Sequence, residues 1–351
     1  MSSKFFSEGI INWYQQHKRD LPWRNINDPY RIWLSEIILQ QTRVEQGLPY
    51  YEKFVSRFPT VKHLATAPAD KVMKLWQGLG YYSRARNLHS TAKEIVKTHK
   101  GKFPNEHVDV IKLKGIGEYT AAAILSFAFN KPYAVVDGNV YRLLSRYFGI
   151  DTPINSGKAK KEFYALAQSL IEGFPPGIFN QAIMEFGSVQ CRPANPDCIH
   201  CPLHESCFAF RNKRVNQLPV KAKAAKARNR YFHYLVIRQN GKLFLKKRTA
   251  NDIWKNLYDF PLIETDKRLT AKKLMQTKEW KNYFKGVKAK VGVVSANNRH
   301  LLSHQTIHAR FYEIELKPGE EMKGKSLIAV SSKQLKRYAV PRLIERYLER
   351  S

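Results

Sequence analysis

The sequence predicts a two-domain protein, mostly α-helical over residues 1–210 and α+β over 231–351, joined by a basic linker at 211–230. Three observations carry this. The chain has 351 residues, more than one ordinary domain uses. The hydrophobic period changes from helical to alternating after a stretch rich in Lys and Arg. All four cysteines crowd between Cys191 and Cys207, at the end of the helical part.

Phe6, Ile10, Trp13 and His17 fall at helical spacing. The first residues therefore read as an amphipathic helix and lack the continuous apolar core of a signal peptide. Asp28-Pro29 supplies an N-cap followed by proline at the first helical position. The YRIWLSEIILQQ behind it is apolar on most sides, so it predicts a buried helix. Further helices are expected over 70–77, 84–98, 121–129 and 140–148, punctuated by glycines and prolines. The linker RNKRVNQLPVKAKAAKARNR holds eight Lys or Arg and no acid. It reads either as a segment that tracks a phosphate backbone or as a solvated tether. YFHYLVIRQNGKLFLKKR then predicts a hairpin turning at Asn240-Gly241. Strands are expected at Lys290–Val294 and 307–316, and helices at 270–284 and 334–350.

The formal net charge is +31. A charge that large points to a polyanionic partner, with nucleic acid favoured over an acidic membrane surface or plain solubility. No apolar run approaches the length that spans a bilayer. The spacing Cys191-x6-Cys198-x2-Cys201-x5-Cys207 packs four thiolates closely enough to ligate one iron–sulfur cubane. Structural zinc also takes four cysteines, usually as two CxxC pairs, and only one such pair is present, so zinc ranks second. This spacing resembles the 4Fe–4S loop of the endonuclease III superfamily of base-excision glycosylases.

LKGIGEYTAAAIL at 113–125 places Gly115 and Gly117 in a tight turn that opens a helix, with amides free to meet an anion. It resembles the helix-hairpin-helix that grips DNA phosphate, against the alternative of an ordinary interhelix turn. Glu36 sits among Ile32, Trp33, Leu34, Ile37, Ile38 and Leu39, where desolvation favours its neutral, proton-donating form. Asp137 stands before Gly138-Asn139 and an apolar helix, placed as an N-cap that favours the anion. An acid and a fixed anion are what N-glycosidic cleavage needs: a proton for the leaving base and a negative charge beside an oxocarbenium-like sugar. Each also has an ordinary alternative, a buried salt-bridge partner and a plain cap.

Taken together, these motifs resemble the MutY-type adenine DNA glycosylases along essentially the whole chain. LPWR at 21–24, WLSEIILQQTRV at 33–44, GLGYYSRARNL at 78–88, the glycine turn, VDGNVYR at 136–142 and the four cysteines match in order. The resemblance implies a helix-hairpin-helix glycosylase core with an iron–sulfur loop, carrying one 4Fe–4S cluster on Cys191, Cys198, Cys201 and Cys207, followed by a Nudix (MutT)-like domain. It implies a monofunctional enzyme of base-excision repair that removes adenine mispaired with 8-oxoguanine. Glu36 would protonate the adenine, Asp137 would stabilise the cationic sugar, and Asn139 would hold the water or the sugar. Tyr119 occupies the position of a lysine nucleophile in bifunctional relatives, and a phenol cannot form a Schiff base. Tyr141 stands where some members carry a product-trapping lysine.

The adenine must leave the helix to reach Glu36. The resemblance implies a pocket of Leu21, Trp23, Arg24, Val44, Gln181 and Met184. It also implies that Gln41, Thr42, Leu79 and Tyr81 enter the gap and meet the opposite guanine, as apolar wedges can. In the C-terminal domain, Leu302-Ser303-His304 matches a Phe-Ser-His loop in which Ser303 reads the oxidised purine. Leu302 replaces the stacking phenylalanine. His300, His304 and His308 would reach phosphate or stand as surface histidines. Residues 252–280 lack the acidic array of a working Nudix hydrolase, so the domain is expected to recognise rather than hydrolyse. The expected partner is double-stranded DNA holding an 8-oxoguanine:A pair, bound by a monomer in the bacterial cytoplasm, at the nucleoid. Two rivals remain: an oxidised-pyrimidine glycosylase with lyase activity, and a non-catalytic mismatch sensor.

Overall fold

Helices bury their apolar stripes against one another in the first part of the chain, and a mixed sheet does so in the second. The computed structural model describes residues 3–223, 227–287, 289–320, 322 and 326–350. Contacts divide the chain into two units: Met1–Thr66 with Asn87–Lys223, and Ala67–Arg86 with Ala224–Ser351. The grouping is discontinuous, and Ala67–Arg86 belongs with the C-terminal residues rather than with the helices that flank it in sequence.

In the first unit, the helix Ser3–His17 buries Phe6, Ile10, Trp13 and Tyr14. They join a core with Val140, Leu143, Leu144, Phe163, Phe179, Ile183 and Phe186. Asp28 caps Pro29–Leu39 by accepting from the Tyr30 and Arg31 amides, and eight residues of that helix are buried. It packs against Glu118–Phe129, whose alanine-rich face permits close approach. Helix Pro176–Glu185 crosses the same element so closely that a Cβ at Gly177 would stand 2.9 Å from the Ser126 carbonyl oxygen. A π-helical turn, Phe186–Gln190, follows directly and delivers the chain to Cys191. The basic linker is bonded to this unit well past residue 211. Arg146 donates to the Leu218 carbonyl at 3.0 Å, Ile154 to that of Val220 at 3.0 Å, and Asn155 exchanges two hydrogen bonds with Ala222. Residues 224–226 of the expected linker lie outside the described residues.

In the second unit the strands are β1 (Arg228–Gln239), β2 (Lys242–Lys247), β3 (Tyr258–Asp259), β4 (Leu262–Thr265), β5 (Lys290–Val294), β6 (Asn298–Leu301), β7 (Gln305–Glu315) and β8 (Leu327–Val330). They form one sheet in the order β3-β2-β1-β7-β5, with β4 also on β1, β6 on β7 and β8 on β2. The β1–β2 hairpin turns at Asn240-Gly241 as expected, both residues taking positive φ. The centre of the sheet is the long parallel pair β1–β7, running from Arg228 opposite Gln305 to Arg238 opposite Glu315. Leu235, Ile237, Tyr312 and Ile314 from these strands pack under Leu274, Trp280 and Phe284.

Both long C-terminal helices expected from sequence are broken. The stretch 270–284 becomes Ala271–Met275 and Lys278–Tyr283, because the Thr277 hydroxyl accepts from the Trp280 amide and restarts the helix. The stretch 334–350 becomes Ser332–Leu335 and Arg342–Leu348, with Pro341 as the cap between them. Among the described residues, no helix is long and apolar enough to cross a membrane.

Candidate active site

Glu36 lies in the buried middle of Pro29–Leu39, only 7% exposed. Tyr119, from the first turn of Glu118–Phe129, donates its hydroxyl to Glu36 Oε2 at 2.8 Å. Burial pushes the Glu36 carboxyl up to about 7; the Tyr119 bond opposes this and the charge of Asp137 adds to it. The two acids are thus near enough to act on each other. The Tyr119 hydroxyl also meets the Met184 sulfur at 3.8 Å. Burial, the Glu36 and Asp137 charges and the bond to Glu36 together hold the phenol well above its ordinary range, so it stays protonated.

Asp137 is the N-cap of Gly138–Phe148. Its Oδ1 accepts from the Asn139 and Val140 amides, and its Oδ2 from the Asn139 side chain, each at 2.8 Å. The cap favours the anion as expected, but it does not set the net direction. Those bonds and Arg142 do pull the Asp137 carboxyl down, but burial outweighs them and the net shift is upward. Asn139 is itself held, since Arg142 donates to its Oδ1 at 2.9 Å. The same guanidinium donates to the Gly187 and Cys191 carbonyls.

Of the expected pocket residues, Met184 touches this group through the Tyr119 hydroxyl. Met184 and Gln181 come from Pro176–Glu185. Tyr14 donates to Gln181 Oε1 at 2.6 Å, and the Arg24 guanidinium lies over the Tyr14 ring. Arg24 also donates to Glu185 Oε2 at 2.5 Å and to the Arg19 carbonyl. Glu185 accepts from the backbone amide and the guanidinium of Arg19 as well. Leu21 is buried, Trp23 packs edge-on against Tyr51 at 5.0 Å, and Val44 opens the helix Val44–Arg57. Sequence reading missed Glu185, Arg19 and Tyr14. A lone acid in the apolar run FNQAIMEFG was the available signal for Glu185, because a buried carboxylate needs a cationic partner.

Of the turn glycines, Gly115 takes φ +82°, and a Cβ there would strike Asn87 at 2.7 Å. Gly117 caps Glu118–Phe129 with an ordinary negative φ and open space around it. The four cysteines line one cavity of about 30 Å³ together with Leu143, Arg146 and Tyr147. Arg146 donates to Cys191 Sγ at 3.5 Å and to the Arg192 and Pro193 carbonyls. Burial raises the thiols of Cys198, Cys201 and Cys207, and charge on the neighbouring cysteines raises them further. Among the described residues, no three His, Cys, Asp or Glu side chains converge as tightly as a single metal ion requires.

The expected lesion-reading residues differ in presentation. Gln41 is exposed with φ +55°, and Thr42 beside it donates to the Gln40 carbonyl at 3.3 Å. In the second unit, Leu79 is buried, whereas Tyr81 is 49% exposed with φ +44°. Ser303 and His304 are exposed at the tip between β6 and β7 and share a 3.1 Å hydrogen bond. His308 is occupied, stacked on Tyr231 and bonded to Asn229, and His300 packs against Trp254.

Residues 34–171 match the model of the HhH-GPD superfamily of base excision DNA repair proteins, and residues 233–350 match a NUDIX domain. The adenine DNA glycosylase of Buchnera aphidicola subsp. Schizaphis graminum is 36% identical over 314 residues, 88% of this chain and 87% of that protein. That of Buchnera aphidicola subsp. Baizongia pistaciae is 40% identical over 264 residues, 74% of each. A solved thermostable thymine-DNA glycosylase is 30% identical with a TM-score of 0.56, covering 60% of this chain and 97% of that one. An endonuclease III–DNA complex, 18% identical with a TM-score of 0.53 over 61% of this chain and 98% of that one, shares the fold of the helical part. With relatives this similar over most of its length, and with both domain matches in order, the chain belongs to the adenine DNA glycosylase family.

Proposed function

We propose that this protein hydrolyses the N-glycosidic bond of adenine mispaired with 8-oxoguanine, or with guanine, and leaves the DNA strand uncut. The observation that carries this is the Glu36–Tyr119–Asp137 group, in which a carboxyl poised at about 7 interacts with a second carboxyl that caps a helix. A group half-protonated near neutrality can deliver a proton to a flipped adenine. Loss of the protonated base leaves positive charge on the sugar, and ionised Asp137 stabilises it. Asn139, fixed by Arg142, orients the attacking water or the sugar. Tyr119 keeps Glu36 in place and offers no amine, so no Schiff base forms and no strand cleavage follows. Leu21, Trp23, Arg24, Val44, Gln181 and Met184 enclose the base. Gly115 and Gly117 present backbone to a phosphate beside it.

Tyr81, Gln41 and Thr42 meet the opposite base, and the exposed Ser303 and His304 read the oxidised purine edge. Cys191, Cys198, Cys201 and Cys207 ring one cavity, a donor set that suits a 4Fe–4S cluster better than a single ion. Such a cluster would shape the basic loop around Arg192. A domain pair of this kind suits a monomer on duplex DNA in the bacterial cytoplasm.

A strand-nicking assay on duplexes with adenine opposite 8-oxoguanine tests the reading. Product only after alkali supports it, product without alkali assigns a lyase, and no product assigns a mismatch sensor. Glu36→Gln should abolish base loss while sparing DNA affinity. Purified protein should be brown, with about four irons per chain, and Cys198→Ser should lose that colour.

A further inference from the structure

Ala67–Arg86 is fastened at both ends to the C-terminal residues of its unit. At one end, Asp70 Oδ1 accepts from Lys247 Nζ at 2.6 Å, and Oδ2 accepts from the Tyr258 hydroxyl at 3.0 Å. One helical turn on, Lys74 Nζ donates to the Tyr338 carbonyl at 3.0 Å. Gln77 donates to Glu345 at 2.9 Å and accepts from the Val340 amide at 3.4 Å. At the other end, Arg86 donates to the Lys255 carbonyl at 2.9 Å.

Between these anchors the chain makes an unusual loop. Gly78, Gly80 and Tyr81 take φ of +100°, +73° and +44°. Left-handed backbone at a tyrosine persists only where the surroundings hold it. Here the Trp76 indole N–H donates to the Gly80 carbonyl at 3.0 Å. Arg84 donates to the Leu79 and Gly80 carbonyls, and its guanidinium lies 5.0 Å from the Trp76 ring and 5.7 Å from the Tyr81 ring. Tyr81, half exposed, is the side chain that this scaffold presents.

We propose that Asp70 is a positioning residue for opposite-base discrimination. By gripping Lys247 at the end of β2 and Tyr258 in β3, it holds the helix Ala69–Leu75 and hence the pose of Tyr81. Telling 8-oxoguanine from guanine is then partly set by β2 and β3. This rests on the reading of Tyr81 as an opposite-base contact. Asp70 and Lys247 are partly exposed, and such a pair contributes little to stability. Its removal should therefore act on geometry more than on folding.

The test measures single-turnover base removal by the full chain on adenine opposite 8-oxoguanine and opposite guanine, and takes the ratio. Asp70→Ala should shrink that ratio about fivefold with little change in melting temperature. The exchanged pair Asp70→Lys with Lys247→Asp should recover part of it. In a Tyr81→Ala background, Asp70→Ala should change the ratio no further, because the two act through one side chain. Arg86→Met, which frees the far anchor, should mimic Asp70→Ala and serves if that variant folds poorly. A normal ratio in Asp70→Ala and Arg86→Met, or the same loss with and without Tyr81, overturns the brace alone. An unchanged ratio in Tyr81→Ala overturns the reading of Tyr81 and the brace with it.

Discussion

The Tyr119 hydroxyl donates to Glu36 Oε2 at 2.8 Å, and that bond works against the burial that makes Glu36 an acid. It favours the carboxylate, whereas burial and the Asp137 charge favour the neutral form. Burial wins, leaving the group at about 7. A proton donor at that value is loaded below pH 7 and empty above it. The rate of base removal should therefore fall as pH rises through 7, approaching about tenfold per unit. Tyr119→Phe deletes the interaction that favours the anion, so the alkaline limb should move to higher pH. A pH–rate profile under single-turnover conditions checks this; a limb that stays in place would detach Tyr119 from the titration of Glu36.

The same residue should cost stability. The folded value of about 7 lies above the ordinary 4.5, so the folded state holds the proton more tightly. Its contribution is fully present below about pH 4.5 and is lost as pH rises through 7. Glu36→Gln removes the titration and should melt higher than the parent at pH 8, by roughly 3 kcal/mol from about 1.4 kcal/mol per pKa unit. At pH 4 the two should melt alike. A variant that is inactive and also less stable at pH 8 would contradict the picture of a strained buried acid.

Asp137 has two separable roles. Its carboxylate caps Gly138–Phe148 through two backbone amides, and its charge acts on Glu36. Asp137→Asn keeps an acceptor for the cap and removes the charge, whereas Asp137→Ala removes both. Thermal melts should place the asparagine variant at or above the parent, because burial disfavours the Asp137 charge, and the alanine variant about 1 kcal/mol below the asparagine one. Base removal should collapse in both. Retained activity in the asparagine variant would show that the charge is dispensable.

Much of this was legible in the sequence. The apolar stripe of residues 6, 10 and 13, the Asp28-Pro29 start and the Asn240-Gly241 turn are local rules, and each appears as read. The surroundings of Glu36 were legible because an acid inside an apolar helix has few places to go. The direction at Asp137 was not, because capping is local while the burial that outweighs it comes from the surrounding fold. The breaks at Thr277 and Pro341 were legible in principle, but the apolar period across them outweighed the cap signals. The grouping of Ala67–Arg86 with residues beyond 224 depends on partners such as Asp70 and Lys247, 177 positions apart, which no window of sequence connects.

Glu185 gives the most demanding prediction, because it lies off the chemistry and still supports it. Its side chain is 1% exposed and binds both Arg19 and Arg24. Although burial raises its carboxyl, the two guanidiniums pull it further the other way, to about 2. This depressed value stabilises the fold above about pH 4.5, and the stabilisation is lost as pH falls through 2. Glu185→Gln would leave two guanidiniums facing a neutral amide and should cost about 3–5 kcal/mol. It should also flatten the acid limb of the stability–pH curve measured by denaturant melts. Arg24 would lose the partner that holds it over Tyr14, and Tyr14 is the donor to Gln181. Base removal should therefore weaken mainly through poorer binding of the flipped adenine, seen as a raised KM with a smaller change in kcat. A variant that loses stability but keeps its KM would confine Glu185 to the fold and separate it from the pocket.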